Sequence, residues 1–227
     1  MVQRAGGLMV QLDHKQLWET VADRLRDEIL DGHLPAGARL VEADLASRFG
    51  VSRGPIRDAL ADLSRSGLVV DLPRRGTSVA SLREQDLAEV YEVRRALEEG
   101  AVRMAIARGT AEDFAEMDRL LAATENAYHA GSLPVAWEAD MAFHRVYCRM
   151  AGNGRLLELV DRLASQTLLL MRTALAEHAS LAWTPPVEVH RRIADAIRAR
   201  DGEGAVRAVA NHYQYTEDRL AGRAKTD

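Results

Sequence analysis

Apolar residues recur at helical spacing along most of the chain. The first such stretch follows Asp13, a residue type that caps helix starts. Its apolar positions repeat every four residues, at Leu17, Val21, Leu25 and Ile29. The pattern predicts a helix that stops at Asp31 and Gly32, before a turn around Pro35.

Two short helices are predicted next, on either side of Gly50. The earlier one lies near 42–49. The later one has Ser52 as a favourable N-cap and Pro55 in its first turn, where the missing N–H of proline costs nothing. The inner face of this later helix carries Ile56, Ala59, Leu60 and Leu63.

Two short runs at 68–70 and 77–80 follow these helices. The turn between them contains Pro73 and Gly76, so the two runs are predicted to form a β-hairpin. Two short helices joined by a tight glycine turn and followed by a hairpin form a winged helix-turn-helix.

The rest of the chain is predicted to be helical, after a linker at 81–83. Six helices are expected, separated by breaks that contain glycine or proline: 84–108, 111–130, 134–150, 154–178, 187–200 and 203–222. The predicted fold is mainly α, with an N-terminal winged helix-turn-helix and a C-terminal all-α bundle of about six helices. The predicted boundaries are a disordered tail (1–12), the winged domain (13–80), the helical domain (84–222) and a second tail (223–227).

The composition excludes several classes of protein. The chain has 227 residues, enough for one or two domains that each bury a core. No stretch approaches about 18 uncharged apolar residues, so no membrane span is predicted. The N-terminus lacks the features of a secretion signal, and the single cysteine, Cys148, excludes a disulfide framework and a Cys-ligated zinc finger. We therefore expect a cytoplasmic protein with no membrane partner.

The charge is distributed unevenly along the chain. The net charge of −4 taken as a whole argues against a nucleic-acid binder, because phosphate contacts need Lys and Arg. Residues 1–80, however, carry 11 basic and 11 acidic residues and are neutral, so the acidic excess lies in the remainder. Residues 48–75 contain six arginines and three aspartates. The local charge therefore permits nucleic-acid binding by the first domain.

The second helix of a winged helix-turn-helix presents its N-terminal residues to bases in the major groove. Arg53 and Arg57 are four residues apart, so they share one face of this helix near its start. Arginine can donate two hydrogen bonds to the edge of guanine or bind a phosphate. Ser52 and the free N–H groups at the helix start suit a phosphate oxygen.

The predicted hairpin tip is also basic. Arg74, Arg75 and Gly76 lie where a wing could enter the minor groove. The alternative is that the arginines of this domain form surface ion pairs, for instance with Asp58 and Asp62. The combination of turn, helix start, spaced arginines and basic tip favours double-stranded DNA as the partner.

These residues also resemble the GntR family of transcriptional regulators. The resemblance is carried by Ile29–Gly37 (ILDGHLPAG), Leu40, Glu42, Leu45–Ala46, Gly50–Leu60 (GVSRGPIRDAL), Leu63, Gly67–Val69 and Gly76. It implies a dimeric repressor or activator in which Arg53, Arg57 and the wing around Arg75 and Gly76 contact operator DNA. Some members carry a further arginine early in the second helix, where this chain has Ala43.

Three histidines of the helical domain lie on apolar faces. Asp140 and His144 are four residues apart on one inward helical face, and His190 and His212 lie on the apolar stripes of two later helices. Three imidazoles and one carboxylate would suit a divalent ion such as Zn²⁺, Ni²⁺ or Mn²⁺ and leave room for an anionic ligand. The alternative for each histidine is a satisfied core residue, although a buried Asp140 needs a partner.

The helical domain resembles the FCD effector domain, which defines the FadR-type branch of GntR regulators. The matching residues are Val93–Arg94, Leu97–Glu98, Ala101, Phe143–His144, Ala151–Asn153, His190, Ile193, Ala196–Ile197 and His212. The resemblance implies that Asp140, His144, His190 and His212 bind a metal, above which a small carboxylate effector sits. The predicted number of helices, six rather than seven, is similar to that of the shorter VanR-like subgroup.

Two arginines are candidates for holding an anionic effector. Arg94 could pair with a carboxylate, and its alternative is a helix salt bridge with Glu98. Arg172 lies in an apolar run and could also face the pocket, and its alternative is a snorkelling surface residue.

Three functions compete. The leading one is a DNA-binding transcription factor controlled by a small organic acid. The second is a regulator for which the metal itself is the signal. The third is a metal-dependent enzyme, which the sequence disfavours because no HExxH motif is present and Glu138 lies on another face than Asp140. We therefore expect a regulator and no enzyme.

Overall fold

The computed structural model describes residues 14–72, 74–82, 84–177 and 186–220. The predicted tails at 1–12 and 223–227, the predicted cap Asp13 and the turn residue Pro73 lie outside the described residues. The chain divides into two compact units, residues 1–80 and 81–227, and each is described by itself.

In residues 14–72 and 74–80, the described part of the first unit, the chain forms three helices and a small sheet. The elements are α1 (His14–Leu30), β1 (Arg39–Leu40), α2 (Glu42–Phe49), α3 (Arg53–Arg65), β2 (Val69–Leu72) and β3 (Gly76–Val79). The sheet is antiparallel with the order β1-β3-β2. The predicted hairpin is the pair β2 and β3, and the sheet has a further strand, β1, that the sequence pattern did not indicate. β1 pairs Arg39 with Ser78 and Leu40 with Thr77, and a strand of two residues leaves no alternating pattern to detect.

The predicted apolar stripes form the core of this unit. α1 packs on α3, and both helices turn their predicted inner faces toward each other. The fully buried residues of this core include Leu25, Ile56, Ala59, Leu63 and Leu68. This packing leaves the opposite face of α3 exposed, and that face carries Arg53 and Arg57.

The turn between α2 and α3 depends on Gly50. Gly50 has a φ of 66°, and its N–H donates to the carbonyl groups of Ala46 and Ser47, which closes α2. Ser52 occupies the predicted N-cap position of α3 with extended backbone. Its side chain makes no capping hydrogen bond, so the expected side-chain cap was wrong and the hydroxyl is not used in closing the helix.

We expect Gly50→Ala to lower the free energy of unfolding by about 1–2 kcal/mol, because a side chain is disfavoured at positive φ. A Cβ at this position would have no heavy atom within 4 Å, so the loss would be conformational and not steric. Gly100→Ala is the control, because a Cβ there is also uncrowded and the residue is helical. Gly100→Ala should raise the free energy of unfolding by up to about 1 kcal/mol. Urea unfolding of both variants would test the difference, and equal effects would contradict it.

The second unit contains six helices within the described residues. These are α4 (Glu84–Ala105), α5 (Ala111–His129), α6 (Leu133–Met150), α7 (Gly154–Glu177), α8 (Val187–Arg198) and α9 (Gly202–Leu220). The mainly helical fold is confirmed, and the helix ends differ from the prediction by up to three residues. α4 ends at Ala105 because the chain tightens into a turn in which Arg108 N donates to Ala105 O. α8 ends early because Arg200 takes a positive φ of 57°.

Helix α6 lies at the centre of this unit. It packs against α4, α5 and α7, while α9 packs against both α4 and α8. The inner faces of α4, α6, α8 and α9 therefore surround a common interior, which positions the site described below. None of the helices in the described part of the chain is long and apolar enough to cross a membrane.

Candidate metal centre and nucleic-acid interface

Three histidines from three helices meet inside the second unit. His144 on α6, His190 on α8 and His212 on α9 are all buried. Their ring centroids are 4.5–5.4 Å apart, and one ring nitrogen of each lies within 4.8 Å of the others. The structure thus brings together all three histidines of the predicted set.

One nitrogen of each ring has no hydrogen-bond partner. These buried atoms are His144 Nε2, His190 Nε2 and His212 Nδ1. A buried polar atom without a partner costs about 1–3 kcal/mol, so three such atoms in one cluster need an explanation. A divalent cation would satisfy all three, since imidazole nitrogen is a favoured ligand of first-row metals. The three histidines therefore fit a metal ion.

The other nitrogens of two rings have acceptors as partners. His144 Nδ1 lies 2.6 Å from Glu98 Oε2, and His190 Nδ1 lies 3.3 Å from the Pro186 carbonyl oxygen. His144 Nδ1 also lies 2.6 Å from the hydroxyl of Tyr147, which donates its own proton to Glu98. A carboxylate and a carbonyl can only accept, so each Nδ1 donates to its acceptor. Nε2 is then the nitrogen of each ring that faces the interior of the cluster and is left for a metal ion.

Asp140 is also part of the cluster. Its Oδ1 lies 2.6 Å from His190 Nε2, without the alignment of a hydrogen bond. Because both atoms carry lone pairs, they repel each other at this distance unless a proton or a metal cation lies between them. Burial alone would raise the pKa of Asp140, but the neighbouring His190 outweighs it and the pKa is lowered. Asp140 is thus an ionised carboxylate beside the histidines, as the predicted ligand set requires.

His212 has its ring centroid 4.7 Å from that of His144 and 4.5 Å from that of His190. Burial lowers its pKa well below the usual value, and the neighbouring His190 and His144 lower it further. The imidazole is therefore neutral at physiological pH. A neutral ring with an unpartnered nitrogen is the form of histidine that binds a metal.

Arg94 on α4 is buried beside this cluster. Its Nε and Nη2 donate to Glu98 Oε1 at 3.2 and 3.0 Å, and its Nη1 donates to Thr167 Oγ1 at 3.3 Å. The helix salt bridge with Glu98, given above as the alternative to effector binding, is therefore present. The guanidinium also lies over the rings of Tyr91 and Tyr213. These hydrogen bonds use three of its five N–H groups, so pairing with Glu98 does not exhaust its capacity for an anion.

Glu98 is the residue that sequence reasoning missed. Besides Arg94 it contacts His144 and the hydroxyl of Tyr147, and it is completely buried. Burial alone would raise the pKa of Glu98, but the electrostatic interactions with His144 and Arg94 and the hydrogen bonds from His144 and Tyr147 hold it below its usual range. The available signal was the spacing of four residues from Arg94, which predicts their ion pair but not the contact with α6.

Arg172 on α7 is an ion-pair partner of Glu138 on α6. Its side chain is 13% exposed, so it is more buried than the predicted surface residue would be. Glu138 is half exposed, in agreement with its expected position on a different face from Asp140.

The arginines of α3 lie at its exposed face. Arg53 is the first residue of the helix and is exposed, as is Ser52 before it. Arg57 donates to Glu42 of α2 at 2.8 Å, with 64% of its side chain exposed. An ion pair was the predicted alternative for these arginines, but the acid is Glu42, whereas the expected partner Asp62 contacts Arg26 and Arg65.

The tip of the hairpin exposes Arg74, Arg75 and Gly76. Arg74 has a φ of 63°, which is unusual for a residue with a side chain, and Arg75 N donates to Leu72 O to close the turn. Arg39 of β1 also belongs to this tip, since its guanidinium lies 3.9 Å from where a Cβ of Gly76 would be. The sequence reasoning did not include Arg39 because β1 was not predicted.

The chain is similar to known regulators in both units. Residues 17–79 match the family described as bacterial regulatory proteins, gntR family, and residues 89–215 match the FCD domain. Over 197 residues the chain is 33% identical to the "Probable D-xylose utilization operon transcriptional repressor" of Paenarthrobacter nicotinovorans, with 85% of each protein covered. It is 28% identical over 197 residues to the transcriptional repressor GlaR of Escherichia coli, covering 83% of this chain and 88% of GlaR.

The solved structures that match this chain include two that cover most of it. One is E. coli McbR/YncC, with a TM-score of 0.73, 25% identity, and coverage of 91% of this chain and 98% of that one. The other is described as "a putative transcriptional regulator GntR from Rhodococcus sp. RHA1", with a TM-score of 0.72, 26% identity, and coverage of 92% of this chain and 99% of that one.

Proposed function

Because the chain belongs to the GntR family of bacterial transcriptional regulators and carries an FCD domain, we propose that a small carboxylate controls its affinity for operator DNA. GntR regulators bind operator DNA, and FCD domains bind small-molecule effectors and are often associated with a metal. In this proposal the carboxylate binds above a divalent metal ion in the helical domain. The known relatives are transcriptional regulators and not enzymes, so the metal would hold a ligand and not turn over a substrate.

The observation that carries this proposal is the cluster of three buried, unpartnered imidazole nitrogens beside an ionised Asp140. Asp140, His144, His190 and His212 would hold the ion. With Zn²⁺, Ni²⁺ or Mn²⁺ bound, four protein ligands leave coordination positions that a carboxylate oxygen can take. The six helices of the described second unit also agree with the shorter, VanR-like subgroup of FCD domains.

Arg94 and Arg172 would supply the charge that selects an anionic effector. Arg94 is buried close to the histidines and keeps N–H groups for a second acceptor. Arg172 is largely buried on α7, the helix that also provides Thr167 to Arg94. Arginine matches a carboxylate with two parallel hydrogen bonds, which favours organic acids over neutral metabolites.

The first unit would provide the contacts with DNA. Ser52, Arg53 and Arg57 at the start of α3 would enter the major groove, and the tip formed by Arg74, Arg75 and Gly76 would enter the minor groove. We assign residues 13–80 to DNA binding and 84–222 to effector binding and dimerisation. A homodimer would require a pseudo-palindromic operator.

The proposal is tested by measuring operator affinity with metal and organic acid varied separately. The operator would be selected from random duplex DNA, and the full chain would be titrated with a panel of small carboxylates. We expect an acid to change DNA affinity by about 5–150-fold in metal-loaded protein and to have no effect after chelation.

The second candidate, in which the metal itself is the signal, is favoured by one observation: Arg94 already has a carboxylate partner in Glu98. That function predicts DNA affinity that follows free metal in the absence of any acid. If chelation alone changes operator binding and no acid does, the metal-responsive regulator replaces our proposal.

A further inference from the structure

The two oxygens of the Glu98 carboxylate serve different partners. Oε1 accepts from Arg94 through Nε and Nη2, at 3.2 and 3.0 Å. Oε2 accepts from the hydroxyl of Tyr147 and lies 2.6 Å from His144 Nδ1. Glu98 therefore connects the arginine of α4 to one of the three clustered histidines.

This arrangement determines which nitrogen of His144 carries the proton. Because an ionised carboxylate only accepts, Nδ1 must donate to Glu98 and Nε2 must present its lone pair. Nε2 is the nitrogen that has no partner and belongs to the histidine cluster. A hydrogen-bonded carboxylate behind a ligating imidazole fixes the orientation of the ring and raises its basicity.

Arg94 holds Glu98 in this role. A buried carboxylate is costly unless it is paired, and Arg94 provides the opposite charge while Thr167 orients its guanidinium. Arg94 is a permanent donor, so it keeps an acceptor oxygen directed at itself and turns the second oxygen toward His144. Arg94 and Glu98, four residues apart on α4, thus form an ion pair whose carboxylate contacts His144.

We propose that Glu98 is the positioning residue of the histidine cluster: its carboxylate, oriented by Arg94, holds His144 in the tautomer and orientation that bind a metal ion. This inference rests on the proposed metal site, but the tautomer that it requires is a property of the metal-free protein. It assigns to Glu98 a function beyond its helix salt bridge with Arg94.

Glu98→Gln is the decisive variant because the amide has one acceptor and one donor end. Arg94 can only donate, so it will take the amide oxygen, which leaves the NH₂ group facing His144 Nδ1. This NH₂ group then donates to His144 Nδ1, which the Tyr147 hydroxyl also contacts at 2.6 Å, and His144 is expected to carry its proton on Nε2, which blocks the nitrogen needed for the metal. We expect the Zn²⁺ affinity of the full-length variant to fall roughly 10–100-fold, as for loss of other such carboxylate partners.

The tautomer itself is read by long-range ¹H–¹⁵N correlation spectra of metal-free protein labelled at histidine. The His144 signals are assigned with a His144→Gln sample. Wild type is expected to show the Nδ1–H tautomer of His144, and Glu98→Gln the Nε2–H tautomer. If both proteins show the same tautomer, the inference is overturned, even if the variant is destabilised.

Two further variants separate positioning from packing. Glu99→Gln removes the same charge from the next residue, whose partner is Arg95, and should leave the Zn²⁺ affinity and the His144 tautomer unchanged. Tyr147→Phe removes the hydroxyl that donates to Glu98 Oε2 and lies 2.6 Å from His144 Nδ1, but it keeps the Glu98 carboxylate, so the metal affinity should stay within about 3-fold. Equal losses in Glu98→Gln and Tyr147→Phe would assign the effect to packing. Absence of Zn²⁺ binding by wild type would instead refute the metal site, while the spectra would still test Glu98.

Discussion

His190→Ala is expected to remove high-affinity metal binding from the full-length protein. The variant loses one of three clustered ring nitrogens and leaves Asp140 Oδ1 without the atom that now lies 2.6 Å away. Loss of a partner behind a ligand already costs roughly 10–100-fold in metal affinity, so loss of the ligand itself should cost at least about 100-fold. Metal analysis after dialysis against limiting Zn²⁺ or Ni²⁺ would measure about one ion per chain in wild type and almost none in the variant.

The same change has a thermodynamic signature. An ion that binds only the folded protein stabilises it by about 2.7 kcal/mol when its free concentration is 100 times the dissociation constant. Wild type should therefore unfold at a higher temperature in Zn²⁺ than in chelator, and His190→Ala should unfold at the same temperature in both. The comparison is made within each protein, so it does not depend on any loss of packing caused by the substitution.

His129→Ala is the matched control, because His129 is an exposed histidine at the end of α5 in the same unit. It should retain both the metal and the thermal shift. His212→Ala removes a second ring nitrogen of the cluster and should behave like His190→Ala. Full retention of metal by both cluster variants would overturn the ligand set.

The individual residues of the cluster could be predicted from the sequence, but their convergence could not. The spacing of Asp140 and His144 placed them on one face, and apolar stripes placed His190 and His212 inward. Helical periodicity shows which side of a helix is buried and does not show which other helices it meets. That information came from the resemblance to a known domain and from the packing of α4, α6, α8 and α9.

Only one of the contacts of Glu98 could be predicted from the local sequence. Its contact with Arg94 follows from a spacing of four residues, and this salt bridge was one of the two alternatives for Arg94. Its contact with His144 spans 46 residues and depends on how α4 packs against α6, which no local pattern encodes. The two-residue strand β1 was missed for a related reason, since it exists only because β3 offers it a partner.

Net charge was informative only at the scale of a domain. The chain as a whole carries −4, yet residues 1–80 are neutral. Within this unit acidic residues such as Glu28, Glu42 and Asp62 pair with arginines, so much of the negative charge is already compensated. The arginines at the start of α3 and at the hairpin tip remain exposed, which is why an acidic protein can belong to a family that binds DNA.

Arg57→Ala should weaken specific operator binding by about 1–3 kcal/mol, or about 5–150-fold. The guanidinium of Arg57 lies one turn into α3 and is 64% exposed, within reach of a guanine edge or a phosphate. Its ion pair with Glu42 is on the surface and is worth only about 0–1 kcal/mol, so DNA can replace Glu42 at little cost. Binding would be measured at several salt concentrations. A phosphate contact would reduce the salt slope by about 1, and a base contact would lower the preference for the operator over random DNA.

Two variants of this unit determine whether the loss is specific to Arg57. Arg65→Ala removes the same charge from the last turn of α3, where Arg65 pairs with Asp62, and should change operator affinity by less than about 0.5 kcal/mol. Glu42→Gln removes the acid that competes with DNA for Arg57, so it should strengthen operator binding by up to about 1 kcal/mol. The gain must disappear when Arg57→Ala is already present, because the two residues act through one contact. A gain that persists in the double variant would mean that Glu42 repels DNA directly, and unchanged affinity in Arg57→Ala would remove Arg57 from the interface.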